Sequence, residues 1–128
     1  LPAGQERLMN ALFVGLGGAV GAVGRYGLSL LPCRSAFPLL TLLTNLIGAV
    51  LIGFVAGLAG RERLSSGWTL FWKTGVCGGF TTFSTFSLES VTLLQRGRTG
   101  LALAYMALSA GLCLAGVLAG QWLSRRGV

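Results

Sequence analysis

The chain has no histidine among its 128 residues, and only three of them are acidic. The sequence therefore lacks the commonest proton shuttle and metal ligand of proteins. It also shows no nucleophile–base pair and no cluster of metal-ligating side chains, so enzyme activity is not expected. Its three cysteines are odd in number and lack metal-ligand spacing, which favours small packing residues over a disulfide framework.

Charge is also scarce. Charged residues make up 10% of the chain, hydrophobic residues 53%, and the mean hydropathy is +0.76. Because a soluble domain carries about a quarter charged residues, we expect an integral membrane protein. The net charge of +7 does not indicate a nucleic-acid partner, since the basic residues lie mainly at the ends of apolar segments, near lipid headgroups.

Four apolar segments are long enough to cross a hydrocarbon core of about 30 Å. They cover residues 9–31, 39–60, 68–95 and 100–123, separated by short polar gaps. Residues 1–128 are therefore predicted to form a single all-α transmembrane domain. The first segment is too long for a signal-peptide core and is expected to be retained. Since Leu1 is not methionine, we also expect a few residues to precede it.

Four segments place both chain termini on one side of the membrane. When Arg25 and Lys73 are assigned to their nearer ends, six basic residues lie on that side and four on the other. This bias is too slight to fix one orientation. Charge alone leaves two interpretations open: insertion both ways with antiparallel pairing, and one weakly specified orientation. Small residues on the first, second and fourth segments suit close helix contact and favour a dimer.

The third segment contains an irregular stretch, Gly75-Val-Cys-Gly-Gly-Phe-Thr-Thr-Phe-Ser-Thr-Phe86. Two adjacent glycines followed by threonines disfavour a helix. A bilayer tolerates a broken helix only where the freed backbone is buried in protein or lines a polar cavity. We therefore predict a break at residues 78–81, and its free carbonyl oxygens would suit a hard cation.

If the helix resumes after the break, Phe83 and Phe86 share one face of it. Phenyl edges are electropositive, so together with hydroxyl donors they can accept a small, partly dehydrated anion. No fixed cation is then needed that would hold the ion too tightly for conduction. Phenylalanine at helical spacing is more often a packing residue, but its coincidence with a break and with hydroxyls favours a site.

Five further polar residues lie inside apolar segments, where they are costly. Arg25 either extends to the headgroups or acts at a site, and Asn45 either bonds a neighbouring helix or lines a pore. Glu89 either pairs with an arginine, carries a proton, or holds a chain of hydroxyls. Tyr105 and Ser109 are four residues apart and therefore share a helix face, where they form a polar track or bond their own backbone.

Three motifs resemble the Fluc-type fluoride channel family, also called the CrcB-like family. Residues 17–26 are similar to its GGxxGAxxRY pattern, residues 41–48 to its TLxxNxxG pattern, and residues 75–86 to its GxxGGxTTFSTF pattern. The resemblance covers nearly the whole chain. One departure is Thr44, where the family often has an aliphatic residue.

The resemblance implies a passive, fluoride-selective channel that exports fluoride and lowers its cytoplasmic concentration. It implies an antiparallel, dual-topology homodimer in a prokaryotic inner membrane, with two pores and four helices per protomer, the third broken mid-membrane. The implied partners are fluoride, membrane lipid and a second copy of the chain, without nucleic acid. The implied cofactor is one structural sodium ion at the dimer interface.

The resemblance also assigns roles to residues. It places Phe83 and Phe86 along the ion path, Asn45 in a vestibule, and the backbone carbonyls of Gly78 and Thr81 on the sodium ion. Arg25 is implied near a vestibule as a structural or electrostatic element. The remaining residues of the fluoride pathway are implied to form a polar track: Thr82, Ser84, Glu89, Tyr105 and Ser109.

Two other interpretations remain. A small multidrug-type, proton-coupled antiporter also has four short spans, but its chemistry needs a carboxylate in the first span, and here Glu89 lies in the third. A non-transporting subunit of a membrane complex would leave the hydroxyl–aromatic stretch of the third segment without a purpose.

Overall fold

The protein is all-helical in a computed structural model that describes residues 2–127, and no strand occurs in that range. Helix α1 is Ala3–Ser29 and α2 is Leu39–Gly60. Helix α3 runs through three consecutive pieces, Ser66–Thr69, Leu70–Cys77 and Gly78–Phe80. Helices α4 (Phe83–Gln95) and α5 (Thr99–Gly127) follow. Because α3 and α4 share the third apolar segment, the predicted all-α architecture of four segments is confirmed.

Three of these helices, α1, α2 and α5, are long and apolar enough to cross a membrane, judged by length and composition. Many of their large apolar side chains are exposed, including Leu16 and Val23 on α1 and Leu114 and Leu118 on α5. An exposed apolar surface of this extent is suited to lipid rather than to water.

Side chains and prolines explain where the helices begin and end. Pro32 follows the end of α1, and Pro38 directly precedes α2, as expected of a residue that cannot donate a helical hydrogen bond. The Ser65 hydroxyl accepts a hydrogen bond from the Trp68 N–H at the start of α3. The Thr82 hydroxyl accepts one from the Thr85 N–H at 3.1 Å at the start of α4.

The helices form two pairs, α1 with α3 and α2 with α5. Glycines allow close approach in both pairs. A Cβ atom at Gly17 or Gly21 of α1 would collide with the backbone of α3, and one at Gly53 or Gly120 would collide with the backbone across the α2–α5 contact. Much of the small-residue surface that favoured a dimer in the sequence is therefore used inside the protomer.

The break in the third segment lies later than residues 78–81. Gly78–Phe80 is helical, and the two residues with extended backbone are Thr81 and Thr82. Gly79 is needed for packing instead, because a Cβ there would lie 2.5 Å from the Gly18 carbonyl oxygen. The low helix propensity of the two glycines was therefore misleading, since α1 packs directly on Gly79.

The irregularity of α3 also begins earlier than predicted, because Leu70–Cys77 is π-helical. A π-helix has a wider turn than an α-helix and occurs mostly as short bulges, frequently at functional sites. Its wider turn changes which residues share a face of α3. Gly75 and Val76 are buried on the side of α1, whereas Lys73 and Thr74 are exposed.

The close contact of α1 with α3 gives a stability prediction. Gly21→Ala is expected to destabilise the fold by about 1–3 kcal/mol, because the new methyl group would meet the Val76 carbonyl oxygen and lie 2.8 Å from the Phe80 nitrogen. Gly15→Ala on the same helix is the matched control, since nothing lies within 4 Å of its Cβ position. Thermal unfolding in detergent measures the difference, and equal midpoints for the two variants would contradict a tight α1–α3 contact.

Candidate functional site

A groove of about 730 Å³ lies between the α2–α5 pair and the face of α3 that points away from α1. Small residues of α2 and α5, such as Gly48 and Ala110, form much of one wall. The other wall comes from α3, the break and the first turn of α4. The polar and aromatic residues that line the groove are Asn45, Lys73, Thr74, Thr81, Thr82, Phe83, Phe86 and Ser109.

Asn45 bridges α2 to the break. Its Oδ1 accepts a hydrogen bond from the Thr82 N–H at 2.8 Å, and its Nδ2 donates to the Thr82 carbonyl at 3.2 Å. Both backbone groups of Thr82 are thus bonded by one side chain, as buried backbone must be. The alternative of a bond to a neighbouring segment is therefore confirmed. The same amide also lines the groove, and its role in a pore stays a prediction.

Arg25 bonds the same break from the α1 side. Its Nε donates to the Gly79 carbonyl oxygen at 3.2 Å, and the residue is half-buried. A charged donor on a freed carbonyl at the end of a helix is stabilising. Arg25 is therefore attached to α3, and it does not line the groove.

The carbonyl oxygens of Gly78 and Thr81 accept no hydrogen bond from residues 2–127. Both residues line the groove, and Gly78 is exposed with open space beside its Cα. Oxygen donors suit a hard cation, so the two carbonyls are chemically compatible with sodium. One protomer supplies only part of a coordination shell here, and the described chain has no metal-ligating cluster of His, Cys, Asp or Glu side chains.

Phe83 and Phe86 lie side by side, with ring centroids 5.5 Å apart and planes inclined at 40°. Phe83 is 80% exposed in the protomer and lies at the groove. Phe86 contacts the buried Tyr105 ring at 5.1 Å, and Tyr105 contacts Phe37 at 5.4 Å. The aromatic pair thus has one ring open to the groove and one held against the core.

Glu89 is held by two hydroxyl groups. Thr41 donates to its Oε2 at 2.9 Å, and Tyr105 donates to its Oε1 at 2.8 Å. Within residues 2–127 no arginine pairs with it, which removes one of the three alternatives and favours the hydroxyl chain. Thr41 was not singled out as a site residue from the sequence, and its only signal there was its place near Asn45.

The remaining hydroxyl residues differ in their surroundings. Thr82 and Ser84 have their hydroxyl oxygens 3.4 Å apart, but Ser84 is exposed on α4 and does not line the groove. Ser109 lines the groove with only 7% of its surface exposed, and its hydroxyl has no hydrogen-bond partner in the described chain. An unpaired buried hydroxyl is costly, so a ligand or water that bonds it would be stabilised.

The structure therefore divides the predicted site residues. Those at the groove are Asn45, Gly78, Thr81, Thr82, Phe83, Phe86 and Ser109. Glu89 and Tyr105 lie behind Phe86 as a bonded pair. Arg25 and Ser84 lie outside the groove. Lys73, counted in the sequence only as a flanking charge, is at the groove as well.

A family model described as CrcB-like protein, Camphor Resistance (CrcB), matches residues 12–121 of the chain. The chain belongs to the CrcB-like family. The motif-based identification is thereby confirmed, and the matched region contains all five helices in whole or in part.

Named relatives of this CrcB-like chain occur in several bacteria. A fluoride-specific ion channel FluC from Deinococcus radiodurans is 48% identical over 119 residues, covering 90% of this chain and 94% of the relative. A fluoride-specific ion channel FluC 2 from Symbiobacterium thermophilum is 49% identical over 119 residues, covering 88% and 92%. One from Cereibacter sphaeroides is 44% identical over 117 residues, covering 89% and 93%.

Two conclusions follow for this CrcB-like chain. With bacterial relatives and three helices long and apolar enough to cross a bilayer, it is a multi-pass membrane protein of prokaryotic type. The relatives bear the name of an ion channel, so they do not support the alternative of a proton-coupled drug antiporter.

Proposed function

We propose that the protein is a passive, fluoride-selective channel that exports fluoride from the cell. The names of its relatives support the choice of ion. The observation that carries the proposal is the groove, where the Phe83–Phe86 ring pair lies beside a helix break held by Asn45 and near the unpaired Ser109 hydroxyl.

This groove suits a small anion that has lost part of its hydration shell. Phenyl edges offer weak positive potential, and the Ser109 hydroxyl offers a donor that no residue of the described chain uses. Weak, neutral partners hold an ion briefly enough for rapid passage. The one carboxylate nearby, Glu89, has both oxygens bonded to hydroxyls, which disperses the negative charge that an anion would meet.

The proposed assembly is an antiparallel, dual-topology homodimer with two pores, surrounded by lipid in the inner membrane. A single protomer leaves its groove open and Phe83 largely exposed, so a second copy is needed to enclose an ion path. The slight difference in basic residues between the two sides is compatible with insertion in both orientations. In a dimer with two-fold symmetry, each contact between the protomers occurs twice, because both use the same surface.

We further propose that one structural sodium ion lies at this dimer interface. The free carbonyl oxygens of Gly78 and Thr81 support it, because a partner would contribute the same pair and complete a shell of hard oxygen ligands. When bound, the ion would supply a fixed positive charge to the interface. The protein's own part is to hold the break open, through Asn45 on one side and Arg25 on the other.

Passive export needs no coupled proton. In acid surroundings fluoride enters cells as neutral hydrogen fluoride and dissociates inside. A membrane potential that is negative inside then drives the anion outward, at about 2.3 kcal/mol per elementary charge per 100 mV. An open, selective path is therefore sufficient to lower cytoplasmic fluoride.

Vesicle efflux tests the proposal. Purified protein in liposomes loaded with potassium fluoride should release fluoride when valinomycin allows potassium to leave, as followed with a fluoride electrode. The release should not need a protonophore, because the transport is electrogenic and uncoupled from protons. Liposomes loaded with chloride and liposomes without protein are the controls. Absence of fluoride release, or chloride release at an equal rate, would refute a fluoride-selective channel.

A further inference from the structure

Lys73 is the one charged residue among the described residues that line the groove. Its side chain is exposed in the protomer, and it lies in the π-helical piece of α3, within the third apolar segment. The other groove residues are apolar, aromatic, hydroxyl or amide groups. Lys73 therefore contributes the one full side-chain charge on the described wall of the groove.

The packing of α3 explains why Lys73 reaches the groove. Gly75 is buried against α1, and Lys73 lies on the opposite face of α3. Cys77 and Gly78, four and five residues further along, line the groove on that same face. The sequence does not show this placement, because it depends on which face of α3 packs against α1.

The Lys73 ammonium group has no ion-pair or hydrogen-bond partner among residues 2–127. Arg25, the other basic residue inside the predicted spans, donates to the Gly79 carbonyl, whereas Lys73 forms no ion pair or hydrogen bond with the described chain. Glu89, the acidic residue of this segment, is bonded to Thr41 and Tyr105 and does not line the groove. An unpaired cation on the wall of a cleft raises the local concentration of anions there.

We propose that Lys73 is an anion-concentrating residue of this channel, which raises the local concentration of small monovalent anions in the groove beside Phe83. The proposal rests on the proposed function for the identity of the anion. The lysine side chain is long and flexible, and its ammonium group is compact and strongly hydrated. It therefore attracts an ion without holding it at a fixed point. Selection then takes place at the ring pair, and Lys73 affects how often an ion arrives there.

The effect should depend on ionic strength. At about 10 mM salt the Debye length is about 30 Å, and at about 1 M it is about 3 Å. Lys73→Met, which keeps the length of the side chain without its charge, should lower the initial fluoride efflux about threefold at low salt and low fluoride. The difference should vanish at high salt and at saturating fluoride. Lys73→Arg should restore the wild-type rate.

A matched control removes one charge at the same end of the molecule. Arg63 is exposed in the α2–α3 loop and does not line the groove, so Arg63→Gln should retain the wild-type rate at both salt concentrations. Equal rates for wild type and Lys73→Met at low salt would overturn the proposal. A loss that is the same at both salt concentrations, or that Lys73→Arg does not restore, would overturn it as well, because it would indicate a structural role.

A second measurement tests the role of Lys73 without measuring fluoride flux. Cys113 also lines the groove and is half-buried, whereas Cys33 is exposed outside it, so the chain carries its own reference thiol. Negatively and positively charged methanethiosulfonate reagents would be compared at both thiols, in wild type and in Lys73→Met. With Lys73 present, the negative reagent should be favoured about threefold at Cys113 only.

The two measurements separate the two claims. If wild-type vesicles release no fluoride, the proposed function fails, and the thiol measurement alone decides the role of Lys73. A charge preference at Cys113 that depends on Lys73 would support it. An identical preference in both proteins, or a Cys113 that does not react with either reagent, would overturn it.

Discussion

Replacement of Phe83 by isoleucine is expected to lower fluoride efflux up to about tenfold without unfolding the protein. The Phe83 ring is 80% exposed in the protomer, so its removal leaves no cavity in the core of the chain. Edge contacts between aromatic rings are worth up to about 1.5 kcal/mol, and we expect an anion at the ring edge to gain a similar amount. About 1.4 kcal/mol in a barrier is a tenfold change in rate. Isoleucine fills similar space but presents no electropositive edge.

Phe86→Ile should lower the efflux to a similar extent, with an additional loss of stability because this ring packs on the buried Tyr105. Phe71→Ile is the matched control on α3: its ring contacts Trp68 and Trp72, and it does not line the groove. Efflux from vesicles and elution volume in detergent are measured together. Full efflux in both the Phe83 and the Phe86 variant, at unchanged elution volume, would remove ring edges from the mechanism.

Asn45→Leu is expected to lower efflux about a hundredfold. In enzymes, a displacement of a functional group by about 1 Å produces a loss of that size, and we expect a displaced Phe83 ring to have a comparable effect on conduction. The substitution keeps the volume of the side chain and removes both of its hydrogen bonds to Thr82. The N–H and the carbonyl of Thr82 then lack a partner, and each unpaired buried group costs about 1–3 kcal/mol. The break should relax toward helix or become mobile, and Phe83, the next residue, should lose its position.

Thr44→Val is the matched control for this variant. Thr44 is the neighbouring residue and is buried, but its hydroxyl donates to the Leu40 carbonyl of its own helix at 2.7 Å. Removal of that hydroxyl breaks no contact with the break, so efflux should be unchanged. The two variants are compared by vesicle efflux and by the midpoint of thermal unfolding. Wild-type efflux from Asn45→Leu would show that the amide is not needed to hold the break.

The helix count and the existence of a break could be predicted from the sequence, because both depend on local composition. Long apolar runs between Pro32, Pro38 and the charged gaps define the segments, and threonines within an apolar run mark an irregular helix. The position of the break could not be predicted in this way. It depends on Gly79 fitting against Gly18 and on Asn45 reaching Thr82, and both are contacts between distant parts of the chain.

The site shows the same division. Helical spacing predicts that Phe83 and Phe86 are adjacent, and in the structure their rings lie side by side. The bonding of Glu89 by Thr41 and Tyr105 needs three helices to be placed together, so the sequence left three alternatives for it. The placement of Lys73 at the groove depends on which face of α3 packs against α1, and that contact is not visible in residue periodicity. The roles of all these residues in conduction remain predictions.

The break at Thr81 and Thr82 also has an electrostatic consequence. It leaves the carbonyl end of α3 beside the N–H end of α4, and aligned peptide dipoles give such ends partial charges of about −0.5 and +0.5. These charges belong to the backbone, so acid or alkali cannot remove them within the range in which the protein is folded. Backbone groups suited to a cation and to an anion thus lie two residues apart, in a chain that has no histidine.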